Sequence, residues 1–162
     1  MNAMEVASYR EERDEMGLRE KIDTDTKEAL KSGAKDKLST LRMLNAALKN
    51  KQIDKRRSLT EEEVFETVRS LIKQRKDSIE QFAKGGRQDL VDKETAEVAV
   101  LEVYLPQQLS REELEVMVRD AVAQTGAQGA RDMGKVMKAL IPMVGGRADG
   151  KLLSELVKNV LG

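Results

Sequence analysis

The side chains of this chain that could carry chemistry are carboxylates and amines, because its 162 residues include neither histidine nor cysteine. Disulfide bonds, thiolate or imidazole metal sites, cysteine nucleophiles and serine–histidine relays are therefore excluded. Glu97 and Glu102 lie near the apolar face of a predicted helix, and Lys135, Lys138 and Lys151 could serve amine chemistry. Nothing in the surrounding sequence indicates that these groups are withdrawn from water, as catalytic groups usually are. We predict no catalytic residue, no cofactor and no metal.

Positive charge is concentrated in one segment. Residues 31–57 carry nine Lys or Arg against two Asp, a net charge of +7, although the whole chain holds 29 basic and 29 acidic residues. A seven-residue recurrence places cations in a nearly straight row on one face of a helix, where they can follow a phosphate backbone. The alternative is a solvated face that pairs with acidic helices nearby. This basic stripe consists of Lys35, Arg42, Lys49 and Arg56, with Asn45 between Arg42 and Lys49.

The last thirty residues predict two short helices that are joined by a glycine-rich basic turn. Apolar residues recur at helical spacing on both sides of Gly145-Gly146, and Asp149 stands where an N-cap is expected. Arg147 and Lys151 flank the start of the second helix, where free backbone N–H groups and the helix dipole can hold a phosphate. In the alternative interpretation, Asp149 already occupies those N–H groups and the two cations only solvate a loop.

Four segments of the sequence resemble sequences of the GatB/YqeY family. They begin at Ser39 (STLRMLNAALKN), Ile72 (IKQRKDSIEQF), Gly134 (GKVMKA) and Gly146 (GRADGKLLSEL), so the resemblance covers residues 18–162. The family's tail occurs in small YqeY-like proteins and in the B subunit of the glutamine-dependent amidotransferase that acts on misacylated Glu- or Asp-tRNA, where it contacts tRNA. The resemblance implies a tRNA-associated module without its own active site. A carbon–nitrogen ligase activity with glutamine as amido-N-donor would be a label inherited from these relatives.

The basic stripe, the turn and the resemblance together predict binding to tRNA. Aromatic residues make up only 2% of the chain, which disfavours stacking on unpaired bases and favours phosphate contacts on structured RNA. The alternative is an adaptor that binds a tRNA-charging or amidotransferase complex through protein contacts alone. The predicted tRNA-binding residues are Lys35, Arg42, Asn45, Lys49, Arg56, Lys135, Lys138, Arg147 and Lys151.

Composition predicts an all-α fold, since charged residues reach 36% and apolar residues 40% while aromatics and proline are rare. Helices are expected at 18–31, 36–54, 61–84 and 89–104, the third and longest opening with a Thr60/Glu63 capping box and the fourth with Asp89 as N-cap. A linker at 106–109 then leads to a three-helix bundle at 110–162, which opens with a Ser110/Glu113 capping box. The predicted N-terminal domain is 17–105.

Residues 1–16 are interpreted as a charged extension, either a tail or the product of a start codon assigned too early, with Met16 as the true start. The sequence shows no apolar signal segment and no apolar run near 18 residues, which predicts a soluble cytoplasmic protein without a membrane partner. It predicts no particular oligomeric state.

Overall fold

The structure is a computed structural model that describes Met4 and residues 17–162. Apart from Met4, the predicted charged extension 1–16 lies outside the described residues. Residues 17–162 form seven α-helices and no β-strand, so the prediction of an all-α fold is confirmed. The helices are α1 (Leu18–Ser32), α2 (Lys35–Lys55), α3 (Glu61–Lys84), α4 (Gln88–Glu102), α5 (Arg111–Thr125), α6 (Met133–Val144) and α7 (Gly150–Leu161).

The first compact unit ends at Tyr104 and contains α1 to α4. Helix α3 packs along α4, α1 packs along α2, and α2 also contacts α3 and α4. The inward positions of α2 are apolar at helical spacing, and the leucines at those positions are all buried: Leu38, Leu41, Leu44 and Leu48. The core side chains that are at most 2% exposed are Ile22, Leu41, Leu44, Leu48, Val64, Val68 and Leu101.

Helix ends in this unit follow local chemistry. Helix α3 opens with the predicted capping box, in which Thr60 Oγ1 accepts from the N–H of Glu63 at 3.2 Å and Glu63 Oε2 accepts from the N–H of Thr60 at 2.8 Å. Helix α1 ends at Gly33 in the left-handed region, with φ of 72°. Helix α2 ends at Arg56, which has φ of 54° despite its side chain.

The second compact unit is Leu105–Gly162, in which α5, α6 and α7 pack pairwise into a three-helix bundle. A 3₁₀ turn at Ala130–Asp132 precedes α6. The Ser110/Glu113 capping box and the Asp149 N-cap are both present, as predicted. The buried core consists of Leu114, Val118, Ala121, Val136, Leu140, Val144, Ala148, Leu153, Leu156 and Val157.

Several local predictions were wrong. Helix α4 begins at Gln88, with Arg87 rather than Asp89 at its N-cap, because the Asp89 carboxylate accepts from the Arg87 side chain instead of capping the backbone. The same helix ends at Glu102 rather than Tyr104. Leu30 and Val160 belong to the apolar content of their helices but are 59% and 39% exposed, so they lie outside the buried cores.

The region predicted as a linker is attached to the second unit. The N–H of Leu109 donates to the carbonyl oxygen of Arg147 at 2.9 Å, and the Gln108 side-chain amide donates to the carbonyl of Gly146 at 3.4 Å. Independent folding of two domains stays a prediction. None of the described helices combines the length and the apolar composition needed to cross a bilayer.

Candidate nucleic-acid interface

The orientation of the basic stripe is set by the buried face of α2. Leu38, Leu41, Leu44 and Leu48 are at most 8% exposed, so the helix cannot rotate about its axis without exposing them. A neighbouring face of the helix lies in solvent, and it carries Lys35, Arg42 and Lys49, all exposed. Arg56, the residue at which the helix ends, is exposed as well.

Other cations of the same region are paired with the acidic start of α3. Lys51 Nζ lies 3.1 Å from Glu66 Oε2, and Lys55 Nζ lies 3.0 Å from Glu63 Oε1. The Arg57 guanidinium binds both oxygens of Glu63, at 2.8 and 2.9 Å. This guanidinium, then the N–H of Thr60 and the Lys55 ammonium hold the pKa of the Glu63 carboxyl well below its usual range.

The four cations of the basic stripe behave differently. Within residues 17–162, none of the side chains of Lys35, Arg42, Lys49 and Arg56 forms an ion pair or a hydrogen bond. Pairing with acidic helices was the alternative explanation for this charge. It involves Lys51 and Lys55, on the side of α2 that faces α3, and Arg57, which follows the helix. It does not involve the stripe. The stripe is left available to a ligand.

Asn45 does not share this exposed face. It is half-buried toward α1, where its side-chain oxygen accepts from the Arg19 guanidinium and its amide nitrogen donates to Thr26 Oγ1 at 2.9 Å. These contacts join α1 to α2. The structure therefore gives Asn45 a packing role, and the predicted RNA contact at this residue has no support from the geometry.

The glycine-rich turn of the second unit is largely occupied by its own side chains. Asp149 Oδ1 accepts from the N–H of Lys151 at 3.1 Å, so a free N–H group at this helix start is already used. The Arg147 guanidinium donates to the carbonyl oxygens of Val144 and Met143 at 2.9 and 2.8 Å, which caps the end of α6. The geometry supports the alternative interpretation, in which the turn is structural.

The remaining predicted contacts of the second unit are exposed lysines. Lys135 and Lys138 lie on α6, and Lys151 lies in the first turn of α7. None of the three ammonium groups has a partner among residues 17–162. The candidate residues thus belong to two sets, one in each compact unit, and only the set on α2 forms a regular row.

The sequence did not predict two polar pairs in the first unit. Arg75 Nε donates to Glu97 Oε2 at 3.0 Å, with the two side chains only 6% and 15% exposed. The hydroxyl of Tyr104 donates to the carboxyl of buried Asp25 at 2.7 Å. Arg75 and Asp25 both occupy positions of an apolar helical repeat, and this irregularity was the signal that could have revealed them.

The carboxylates that were considered for catalysis are held in ion pairs. Glu97 lines a cavity of about 270 Å³ between α2 and α4, together with Lys37, Lys93 and Val100. One of its oxygens is taken by Arg75. Glu102 lies at the surface, 3.8 Å from Lys76. In the described part of the chain, no group of three acidic side chains converges as a metal site requires.

Comparison with known proteins identifies relatives over nearly the whole described chain. The family described as "Yqey-like protein" matches residues 19–161. The chain is 29% identical over 145 residues to "Altered inheritance of mitochondria protein 41, mitochondrial" of Pyrenophora tritici-repentis, covering 88% of this chain and 80% of that protein. The protein of the same name from Kluyveromyces lactis is 45% identical over 91 residues, 52% of this chain and 49% of the relative. The protein of the same name from Lachancea thermotolerans is 44% identical over 77 residues, which cover 46% of this chain and 41% of the relative.

These comparisons correct one prediction and establish the family. The prediction of a cytoplasmic protein was wrong, since the relatives are named as mitochondrial proteins. Its basis was the lack of a hydrophobic signal, and mitochondrial targeting segments are amphipathic rather than hydrophobic, so that argument did not separate the two compartments. The match to residues 19–161 spans all seven helices except the first residue of α1. This chain belongs to the YqeY-like protein family.

Proposed function

We propose that this protein is a tRNA-binding helical module without a catalytic centre of its own, and that the basic stripe is its principal contact with phosphate. The observation that carries the proposal is the selective pairing within residues 31–57. Cations on the α3 side of α2 are neutralised by Glu63 and Glu66, whereas the four cations of the stripe are not. An unneutralised row of cations attracts a polyanion and releases its counterions on binding.

The spacing of the stripe suits a ligand that is itself a regular polyanion. Consecutive members on α2 are seven residues apart, which is about 10.5 Å along a helix. Their common face is fixed by the buried leucines of the same helix. Because the helix backbone already holds the row in place, several phosphates can be neutralised at once without first folding the segment that carries the cations, which lowers the entropic cost of binding.

The proposed relation to the amidotransferase is a shared binding of tRNA and not a shared catalytic reaction. In this proposal the chain holds tRNA for another protein to act on. The carbon–nitrogen ligase label belongs to the relatives that carry the catalytic domains. The occupation of Glu97 by Arg75 supports a structural role for this carboxylate.

A matched pair of double variants tests the proposal. R42Q/K49Q removes two charges from the stripe, whereas K51Q/K55Q removes two charges from the same helix that are already paired with Glu66 and Glu63. Affinity for labelled total tRNA is measured by fluorescence anisotropy. We expect R42Q/K49Q to weaken binding about 10- to 100-fold at about 0.1 M salt. We expect K51Q/K55Q to remain close to the unsubstituted protein.

Equal losses in the two variants would mean that only net charge matters, and the proposed interface would be rejected. A third variant, K138Q/K151Q, reports on the lysines of the second unit. A loss there as large as that of R42Q/K49Q would place the principal contact in the second unit instead of on α2.

A second candidate is the protein adaptor for a tRNA-charging or amidotransferase complex. It is favoured by exposed apolar side chains on one face of α4 and at its C-terminal end, where Ala96 and Ala99 are exposed and Val103, the residue after the helix, is 63% exposed. Capture of a tRNA-charging or amidotransferase subunit from nuclease-treated lysate by the protein, lost in A99E/V103E, would support the adaptor. Capture that disappears with nuclease treatment alone would favour RNA binding.

A further inference from the structure

Two open depressions lie along the basic stripe and share several features of their lining. The first, of about 410 Å³, is lined by Lys35, Arg42 and Ser39 around apolar Leu38, Met43 and Ala46. The second, of about 450 Å³, is lined by Lys49, Arg56 and Gln52 beside Ile53, with Arg57 and Ser58 at its end. Each depression thus combines two cations of the stripe with a neutral hydrogen-bonding side chain and apolar surface, which three residues supply in the first and Ile53 alone in the second.

The lining of the depressions excludes several kinds of ligand. Neither contains an acidic residue, although the chain as a whole is balanced in charge. Neither contains an aromatic side chain on which an unpaired base could stack. Among residues 17–162, the side chains of Ser39 and Gln52 form no hydrogen bond, so both remain available. This combination matches a ribose–phosphate unit, with cations for phosphate, a hydroxyl or amide for the 2′-OH and apolar surface for the sugar.

The two depressions are held at a fixed separation. Lys35 and Lys49 occupy equivalent places in them and are fourteen residues apart on α2, about 21 Å along a straight helix. A flexible single strand would lose conformational freedom by meeting both at once, whereas a double helix presents its sugars and phosphates at fixed distances. In RNA duplexes the minor groove is wide and shallow and displays the 2′-hydroxyls, while the major groove is too deep and narrow for side chains.

Building on the proposed function, we infer that α2 carries two ribose–phosphate subsites and that their ligand is the minor-groove face of double-helical RNA, such as a stem of a folded RNA. The four cations supply affinity for phosphate. Ser39 and Gln52 distinguish RNA from DNA by hydrogen bonding to 2′-hydroxyl groups.

The test compares three probes with the same sequence: an RNA duplex of about 16 base pairs, the length that double-stranded-RNA domains span, the matching DNA duplex and one RNA strand. We expect the RNA duplex to bind most tightly. S39A/Q52A should weaken RNA-duplex binding by about 2- to 10-fold for each lost hydrogen bond. It should leave DNA-duplex affinity and the salt dependence unchanged, because no charge is altered. R42Q/K49Q should weaken both duplexes and reduce the slope of log K against log salt by about 2.

The matched control is S70A/Q74A, which removes the same side-chain types from exposed positions of α3. It should bind all probes like the unsubstituted protein. Equal binding of the three probes, or an unchanged preference for RNA over DNA in S39A/Q52A, would overturn the two-subsite inference while leaving RNA binding by the stripe in place. Failure of every probe to bind at low salt would overturn the proposed function as well.

Discussion

At the scale of single residues, Glu63 joins the end of α2 to the start of α3. Its carboxylate accepts from the Arg57 guanidinium, the N–H of Thr60 and the Lys55 ammonium at 2.8 to 3.0 Å. These contacts lower its pKa in the folded protein relative to the unfolded chain, where glutamate titrates near pH 4.3. The carboxylate therefore contributes stability that is present above that pH and is lost as the pH falls through the folded-state pKa.

The first prediction follows from the lowered pKa of Glu63 in the folded protein. At about pH 7 the free energy of unfolding should be smaller for E63Q than for the unsubstituted protein, because the ionised carboxylate then makes all its contacts. The difference should narrow progressively below about pH 4, because the unfolded chain then takes up a proton at Glu63 that the folded protein does not, which lowers the stability of the unsubstituted protein only. Urea unfolding followed by circular dichroism across this pH range measures both proteins. A difference that is constant with pH would contradict the assigned role of Glu63.

The second prediction concerns the hydroxyl of Tyr104, which donates to buried Asp25 at 2.7 Å. Y104F keeps the ring, which is 4% exposed, and removes this hydrogen bond. We expect a loss of about 1–3 kcal/mol in the free energy of unfolding, measured in urea, since the partner is a buried carboxyl. Stability within about 0.5 kcal/mol of the unsubstituted protein, the range of ordinary surface substitutions, would show that the bond contributes little.

Individual residues also mark the limit of prediction from the sequence. The burial of the α2 leucines followed from their spacing, and so did the exposure of Lys35, Arg42 and Lys49 on a neighbouring face. The inward turn of Asn45 did not, because its partners Arg19 and Thr26 lie on another helix. Burial of Arg75 depends in the same way on Glu97, which is 22 residues further along the chain. Local periodicity contains no information about such distant partners.

At the scale of elements, termini with a local cause were predictable. The capping boxes of α3 and α5 require only side chains and backbone within four residues, and both were identified. The start of α4 was not, since Asp89 is drawn to the neighbouring Arg87 side chain and leaves the cap position. The use of Arg147 as a cap for α6 was missed because arginine is flexible enough to serve either a ligand or its own backbone.

The third prediction compares two glycines of the second unit. Gly145 ends α6 with φ of 55°, so G145A places a side chain in the left-handed region and should destabilise the protein by about 1–2 kcal/mol. Gly134 lies inside α6, and an added Cβ would meet no atom within 4 Å. G134A should therefore stabilise by about 0.4–1 kcal/mol by restricting the unfolded chain. Urea unfolding measures the free energy of unfolding of both variants. If both substitutions raised it, or both lowered it, the roles assigned to Gly145 and Gly134 would be contradicted.

At the scale of the whole molecule, the chain contains two compact units with separate cores, and the residues predicted as a linker belong to the second. Leu109 is part-buried against the core of the bundle, and its N–H bonds to Arg147. The segment before Ser110 therefore contributes to the stability of the bundle instead of serving only as a connection.

The fourth prediction uses two fragments. Residues 105–162 should fold alone, with dispersed NMR amide signals, because the ten buried residues of their core all lie within them. Residues 110–162 should be less stable by about 1–3 kcal/mol, since they lack the Leu109 packing and its hydrogen bond. Equal stability of the two fragments in urea would show that 105–109 is only a linker. An unfolded 105–162 fragment would contradict the division into two independent domains.

The segregation of charge is the other property of the whole molecule, and it is central to the proposed function. A balanced chain of 29 basic and 29 acidic residues has no net attraction for a polyanion, so binding to tRNA depends on where those charges are left unpaired. In the first unit, the ion pairs with α3 neutralise one side of α2 and leave the basic stripe on the other.

The most direct test is the salt dependence of binding between the unsubstituted protein and labelled total tRNA, followed by fluorescence anisotropy. Four phosphate contacts predict that log K falls linearly with log salt with a slope of about −3 to −4. The absence of binding at low salt, or binding with a slope near zero, would contradict the account, because neither agrees with a row of unpaired cations that holds phosphate.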